Sequence, residues 1–187
     1  MSFRPPKLPP LRSRNRKGDL AEAAFLSRAL RMGFNVSKPV NSNCRYDFLV
    51  EAAGRYNRIQ VKSVWWSVEK GPYYIPVGCG RGLRHRYGAD ELDFFAAYIV
   101  LENAWYIIPV QAVGERSKVH VHPHLRGVGK FERFREAWHL LLPRGVKIGD
   151  LKAMADPAYG TDLEAGRGQE GPSPAGAHEC SPARSAG

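Results

Sequence analysis

Four residues in the first third of the chain have the side chains and spacing for phosphate chemistry: Glu22, Asp47, Gln60 and Lys62. The aspartate lies on one short apolar segment, the Gln-Val-Lys triplet lies on the next, and the glutamate precedes both. This order predicts a carboxylate on one strand and a polar-x-lysine pair on its neighbour, beside a helix that carries the glutamate. Carboxylate and amide oxygens suit Mg²⁺, and an ammonium group can stabilise negative charge on a phosphate.

The periodicity of the chain predicts one helix, then mostly strands, then a late helix. Gly18 to Met32 has helical composition, and Gly33 follows it in the usual stop position. A second, amphipathic helix is predicted over residues 131–142. The predicted strands cover residues 34–37, 46–51, 56–64, 73–77, 94–101 and 105–110. A helix, a mixed sheet and a further helix predict an α/β sandwich.

The second and third predicted strands form a hairpin that presents three polar side chains on one face. Directly opposed residues of an antiparallel pair point the same way, and a two-residue loop at Gly54-Arg55 pairs Asp47 with Lys62. Gln60 shares that face, and the glycine-x loop favours a type II′ turn. A slip of one residue would separate these groups. An ordinary half-exposed strand has the same alternation, so the pattern alone leaves that alternative open.

Glu22 falls near the centre of the apolar arc of the first helix. A carboxylate in that position needs a cation, a metal ion or a set of hydrogen bonds to offset its desolvation. Alternatively, Glu22 lies close enough to the helix start for the helix dipole to favour it, while the arc is still open to solvent.

The charge distribution indicates a polyanionic partner. The net charge is +10 and the isoelectric point is about 9.8. Residues 1–17 hold six basic side chains and no acid, residues 156–187 hold five acids and two arginines, and the middle of the chain therefore carries +7. An excess this large favours nucleic acid as the partner over a merely basic surface. The candidate contacts in the first segment are Arg14, Arg16 and Lys17.

A glycine- and arginine-rich segment over residues 78–88 supplies further candidate contacts, Arg81, Arg84 and Arg86. Such a loop can lay guanidinium groups along phosphates, and Tyr87 is available to stack on a base. Solvated flexible loops have similar composition, so this pattern too has a second interpretation.

Composition divides the chain into a flexible basic arm over residues 1–16, one domain over residues 17–152, and a disordered tail over residues 153–187 rich in Gly, Pro, Ala and Ser. No apolar run reaches the roughly 18–20 residues of a membrane helix, and no secretory signal is recognisable. The three cysteines are far apart and form no C-x-x-C pair, which fits a reducing cytoplasm.

The chain resembles the PD-(D/E)xK nuclease superfamily. The resemblance lies in three stretches, residues 17–22, 42–47 and 59–63, and covers about residues 17–140. It is strongest to the branch of intron-encoded homing endonucleases, in which the strand motif can read Q-x-K. The segments at residues 91–98 and 105–110 are similar to later strands of that branch.

The resemblance implies a restriction-endonuclease-like α/β core, a mixed β-sheet flanked by helices. It also implies a Mg²⁺-dependent endonuclease that hydrolyses double-stranded DNA, of homing, restriction or junction-resolving type, and assembly as a homo-dimer or tetramer. In such a site Asp47, the carbonyl of Val61 and Glu22 through a water would hold the ion. Lys62 would orient the attacking water and stabilise the developing charge.

Gln60 departs from the superfamily pattern, which has an acid at that place, although it can still offer a neutral amide oxygen. Two other functions therefore stay open. One is a nuclease-fold DNA-binding module that has lost cleavage, with Gln60 as the trace of that loss. The other is an RNA-binding protein that uses its basic arm.

Overall fold

The computed structural model describes residues 13–41, 43–66, 71–78, 85–125 and 127–155. The helices are α1 (Arg14–Arg31), α2 (Val110–Val113) and α3 (Ile148–Ala155), with 3₁₀ turns at Val100–Glu102, Glu132–Phe134 and Trp138–Leu141. The strands are β1 (Asn35–Ser37), β2 (Phe48–Ala52), β3 (Arg55–Val64), β4 (Tyr73–Pro76), β5 (Phe94–Ile99), β6 (Ala104–Pro109) and β7 (Lys118–Val121). Within these ranges no helix is long and apolar enough to span a membrane.

A mixed five-stranded sheet in the order β1-β2-β3-β5-β6 forms the centre of the domain. Strand β3 pairs parallel with β5, and the other neighbours in this sheet pair antiparallel. A separate antiparallel pair is formed by β4 and β7. Mixed pairing with helices confirms the predicted α/β class.

Helix α1 begins four residues earlier than predicted and ends one residue before the predicted Met32, at the predicted glycine stop. Ser13 caps it by accepting a hydrogen bond from the backbone of Arg16, so the helix starts at Arg14 and takes in residues assigned to the flexible arm. Gly33 adopts a φ of 90°, and the N–H groups of Gly33 and Phe34 bond back to carbonyls of the last turn. This is a Schellman ending, and it confirms glycine as the stop signal. Residues 1–12 and 156–187 lie outside the described part, so the division into arm, domain and tail stays a prediction.

The β2–β3 hairpin turns at Ala53-Gly54, one residue before the predicted loop. Both residues have positive φ, 48° and 79°, as a type I′ turn requires, and Ala52 lies opposite Arg55. The predicted type II′ turn is therefore wrong. The side chain of Glu51 supports the turn by accepting a hydrogen bond of 2.9 Å from the N–H of Gly54.

This register places Asp47 opposite Gln60, where the sequence predicts Lys62. The pairs run from Ala52–Arg55 to Phe48–Ile59, and one further step brings Asp47 beside Gln60. The difference from the predicted register is two residues on one strand, so the faces are unchanged. The polar side chains therefore still share one face of the hairpin.

The predicted helix over residues 131–142 is wrong. The segment holds two 3₁₀ turns, and between them Glu136 has a positive φ of 48°. Glu136 binds the edge of β6 instead, because its N–H donates to the carbonyl of Trp105 and its carboxylate accepts from the N–H of Trp105 and from the indole of Trp138. These tertiary hydrogen bonds outweigh the helical periodicity.

Two apolar clusters lie on opposite faces of the sheet, since alternate residues of β5 and β6 enter different clusters. Phe25 of α1 is fully buried in the first cluster. Its ring centroid lies 5.2 Å from that of Phe48 and 5.8 Å from those of both Trp105 and Trp138. This aromatic group holds α1 against the sheet and thereby sets the position of Glu22.

We expect Phe25→Ala to lower the free energy of unfolding by about 3–5 kcal/mol, because it removes the ring at the centre of this group. Urea denaturation followed by circular dichroism measures the loss. Leu30→Ala on the same helix is the matched control, since Leu30 is 53% exposed and its truncation should change stability by less than about 0.5 kcal/mol. Equal losses for the two variants would contradict the packing of α1 described above.

Candidate active site

Asp47 is held by two donors on the neighbouring strand. Its Oδ2 accepts a hydrogen bond of 2.5 Å from Nε2 of Gln60 and one of 2.7 Å from the backbone N–H of Val61. The backbone N–H of Asp47 in turn donates to the carbonyl of Ile59 at 2.8 Å. The carboxylate is therefore fixed in place at the point where the β2–β3 ladder begins.

The amide of Gln60 presents its nitrogen, not its oxygen, to Asp47. A carboxylate only accepts hydrogen bonds, so the donor end of the amide must face it. The Oε1 of Gln60 instead accepts a hydrogen bond of 3.3 Å from the hydroxyl of Tyr87. This orientation differs from the one in which the amide oxygen joins a set of metal ligands.

Lys62 lies on the same face of β3 as Gln60, and its charge acts on Asp47. Its Nζ lies 5.6 Å from the centroid of the Tyr87 ring. The structure therefore brings Asp47, Gln60 and Lys62 together, with the glutamine as the direct partner of the carboxylate and the lysine farther along the strand.

Glu22 on α1 is partly buried, and its negative charge acts on Asp47. Its Oε2 accepts a hydrogen bond of 2.7 Å from Nζ of Lys38, just after β1. That hydrogen bond and the attraction between the two charges raise the pKa of Lys38. The sequence predicts that Glu22 needs a partner such as a cation but does not say which residue supplies it. The structure shows that Lys38 does.

Burial and repulsion make the ionised form of Asp47 unfavourable. Burial raises the pKa of its carboxyl group, and the negative charge of Glu22 raises it further. The N–H of Val61, the ammonium of Lys62 and the amide of Gln60 act in the opposite direction without cancelling the rise. A carboxylate in this condition is stabilised by any added cation.

Asp47 and Glu22 are carboxylates that suit a hard divalent cation, because oxygen atoms are its preferred ligands and a cation would offset the burial and the repulsion that raise the pKa of Asp47. In the described part of the chain no group of three or more His, Cys, Asp or Glu is close enough to hold a metal ion. Two carboxylates are few for a metal site, but Mg²⁺ tolerates few protein ligands because it retains several waters.

The candidate DNA contacts are only partly described. Arg14, Arg16 and Lys17 lie at the start of α1, and Glu22 follows Arg14 by about 12 Å along the helix axis at 1.5 Å per residue. Arg86 is exposed and forms an ion pair with Glu115. Arg81 and Arg84 fall outside the described residues.

Tyr87 and Arg45 belong to the site, although the sequence gives no periodic signal for either. Tyr87, which sequence alone assigns to base stacking, contacts Gln60 and Lys62. The guanidinium of Arg45 lies 5.6 Å from the same ring centroid and pairs with Glu91 at 2.9 Å. Both residues come from connecting segments, so only the folded chain brings them to the hairpin.

We expect Asp47→Asn to raise the free energy of unfolding of EDTA-treated protein near neutral pH. The folded protein holds the pKa of Asp47 above its unfolded value of about 3.9. The stability of the wild type therefore falls as pH rises through the interval between the unfolded and the folded pKa of Asp47. The asparagine carries no charge, so the gain should grow through the same interval and then stay constant. Urea denaturation between acid and neutral pH measures it.

Asp93→Asn is the matched control, because the fold lowers the pKa of Asp93 whereas it raises that of Asp47. Burial alone would raise the pKa of Asp93, but hydrogen bonds from the side chain and backbone of Arg58 outweigh it and lower the pKa. Asp93 therefore stabilises the fold above about pH 3.9, and this contribution is lost as pH falls through its lowered pKa. The variant should be destabilised near neutral pH. A loss of stability for Asp47→Asn under the same conditions would contradict the electrostatics described above.

Two proteins of solved structure are similar to this chain. A bacterial homing endonuclease of solved structure, I-Ssp6803I, is 30% identical, with a TM-score of 0.56 over 69% of this chain and 92% of that one. The Holliday junction resolvase Hjc from the archaeal hyperthermophile Archaeoglobus fulgidus is 19% identical, with a TM-score of 0.37 over 56% and 83%. No curated protein matches the chain.

A family model that matches most of the chain shows the family to which it belongs. The model for PD-(D/E)XK endonucleases covers residues 12–141, which include Glu22, the β2–β3 hairpin and β6. The resemblance to this superfamily and the restriction-endonuclease-like fold are both confirmed. The chain belongs to the PD-(D/E)XK endonuclease family.

Proposed function

We propose that the protein is a Mg²⁺-dependent endonuclease that hydrolyses phosphodiester bonds in double-stranded DNA. The observation that carries this proposal is the shared face of β2 and β3, on which Asp47 accepts hydrogen bonds from Gln60 and Val61 while Lys62 lies close by. Membership of an endonuclease family and similarity to a homing endonuclease support the same activity.

Asp47, the carbonyl of Val61 and Glu22 are the proposed holders of the ion. The raised pKa of Asp47 supports this role, because a divalent cation would offset both its burial and its repulsion with Glu22. When bound, Mg²⁺ supplies Lewis acidity and lowers the pKa of a coordinated water.

The side chains of this chain supply orientation and fixed charge. Gln60 and the N–H of Val61 hold one oxygen of Asp47 and so direct the carboxylate. Lys62 presents an ammonium on the same face, where it would stabilise the negative charge that develops on the scissile phosphate. Of the four proposed catalytic residues, Glu22, Asp47, Gln60 and Lys62, only the glutamine acts through another side chain.

The positive charge of the chain supports DNA as the substrate. Arg14, Arg16 and Lys17 at the start of α1, with Arg81, Arg84 and Arg86 before β5, are the proposed phosphate contacts. Their positions in sequence flank the site residues. Assembly as a dimer or tetramer and a cytoplasmic location stay predictions, the first from the resemblance and the second from the scattered cysteines.

A DNA-binding module without cleavage is the second candidate, and two contacts favour it. Gln60 replaces the acid of the family motif and donates to Asp47, and Lys38 pairs with Glu22. Both contacts occupy oxygens that an ion would otherwise take. The two functions differ in one outcome, which is cleavage.

We expect the wild type to nick supercoiled plasmid DNA in the presence of Mg²⁺. Asp47→Asn and Lys62→Met should each slow nicking by at least about 100-fold, the loss that follows removal of one group stabilising a transition state. Gel electrophoresis over time gives the rates, and mobility shift in EDTA gives DNA binding. Lys118→Met on β7 removes an exposed lysine and is the control for lost charge. DNA binding without nicking by any of these proteins would favour the silent module and overturn the proposed activity.

We expect Lys38→Met to lower the Mg²⁺ concentration needed for half-maximal nicking. Lys38 and an ion compete for Glu22, and an exposed ion pair contributes at most roughly 1 kcal/mol, so the shift should reach about fivefold. Calorimetric titration with Mn²⁺ measures the same change without DNA, and Lys118→Met should leave both values unchanged. A higher metal requirement would mean that Lys38 holds Glu22 ready for the ion.

A further inference from the structure

Tyr87 has a fixed position beside the hairpin. Its side chain is partly buried in the segment that leads to β5. The ring meets Phe95 edge-on, with centroids 5.3 Å apart and an interplanar angle of 86°. This packing determines where the hydroxyl and the two faces of the ring are directed.

The hydroxyl of Tyr87 and the carboxylate of Asp47 hold the two ends of the Gln60 amide. The hydroxyl donates to Oε1 at 3.3 Å, and Nε2 donates to Oδ2 of Asp47 at 2.5 Å. A reversed amide would set its oxygen against a carboxylate oxygen, which repels it. The chain of hydrogen bonds therefore runs in one direction, from tyrosine to glutamine to aspartate.

The ring of Tyr87 also holds Lys62. The ammonium of Lys62 and the guanidinium of Arg45 each lie 5.6 Å from its centroid, within the range of a cation–π interaction. Arg45 is itself anchored by Glu91, whose other oxygen accepts from the N–H of Gly88 at 3.2 Å. The segment around Tyr87 is thus tied to the site by several polar contacts.

We propose that Tyr87 is a positioning residue of the nuclease site, and this inference rests on the proposed function. Its hydroxyl fixes the Gln60 amide with the nitrogen toward Asp47, and its ring holds the ammonium of Lys62. Gln60 therefore serves as a hydrogen-bond donor that orients Asp47, and not as an oxygen ligand of the ion. The glutamine of the Q-x-K motif and its lysine depend on one aromatic side chain outside the motif.

A double-mutant cycle tests this role. Tyr87→Phe keeps the ring and removes the hydroxyl, so it should lower kcat by roughly fivefold, the effect of one neutral hydrogen bond. In a Gln60→Ala background the same substitution should have little further effect, because the hydroxyl has lost its partner. Tyr98→Phe is the control, since the Tyr98 hydroxyl donates to Asn103 at 3.0 Å and its ring packs on Trp105 in the apolar cluster that contains Phe25. Equal losses in both backgrounds would overturn the proposal.

Tyr87→Leu separates the ring from the hydroxyl. It removes the surface that Lys62 contacts, so it should slow cleavage further than Tyr87→Phe does, and it should do so in the Gln60→Ala background as well. Thermal unfolding of each variant distinguishes this loss from unfolding of the domain. Identical rates for the two Tyr87 variants, both folded, would overturn the part of the proposal that concerns the ring.

A measurement without metal or DNA keeps the test independent of cleavage. In EDTA-treated, ¹⁵N-labelled protein, Tyr87→Phe should shift the side-chain amide resonances of Gln60, and Tyr98→Phe should not. If the wild type fails to nick DNA but this shift appears, the proposed activity fails and the positioning of Gln60 stands. If nicking occurs and the resonances do not move, the positioning role of Tyr87 is wrong and the nuclease activity stands.

Discussion

The register of β2 against β3 is the constraint on which the candidate site depends. The two positive φ angles at Ala53-Gly54 fix Ala52 opposite Arg55, and each later pair follows from that one. A shift by a single residue would turn Asp47 toward the apolar face that packs on α1. The Ala53-Gly54 turn supplies no side chain to the site, but its geometry places the carboxylate of Asp47 beside Gln60.

The charges around Asp47 are arranged at a cost to the folded protein. Glu22 and burial oppose ionisation of Asp47, while Lys62, Gln60 and the N–H of Val61 favour it. Lys38 pairs with Glu22 at 2.7 Å and offsets part of its charge. A perturbed pKa such as that of Asp47 is common at functional sites. The aromatic packing of Phe25 supplies stability elsewhere in the domain.

Much of this arrangement could be predicted from sequence because it depends on period-two alternation and on turn residues. Alternation places Asp47, Gln60 and Lys62 on one face for any even loop, so the prediction of faces holds although the turn is one residue away from the predicted one. The choice between a type I′ and a type II′ turn depends on interactions such as the hydrogen bond from Gly54 to Glu51. The alternation of polar and apolar residues carries no information about such interactions.

Other features of the site depend on contacts between distant parts of the chain. Lys38 and Tyr87 reach the hairpin from connecting segments, where no periodicity marks their orientation. The helix predicted over residues 131–142 fails for a related reason. Its amphipathic pattern is real, but Glu136 satisfies backbone groups of Trp105, and that pairing stops the helix.

The contact between Glu136 and Trp105 has a further consequence for self-association. Strand β6 is the last strand of the central sheet, and an open edge strand can recruit a strand from another molecule. Glu136 forms hydrogen bonds with both the N–H and the carbonyl of Trp105, and an isolated antiparallel β-bridge joins Arg135 to Tyr106. A strand added to β6 at this point would first have to displace Glu136 and Arg135, so these contacts disfavour growth of the sheet at this edge.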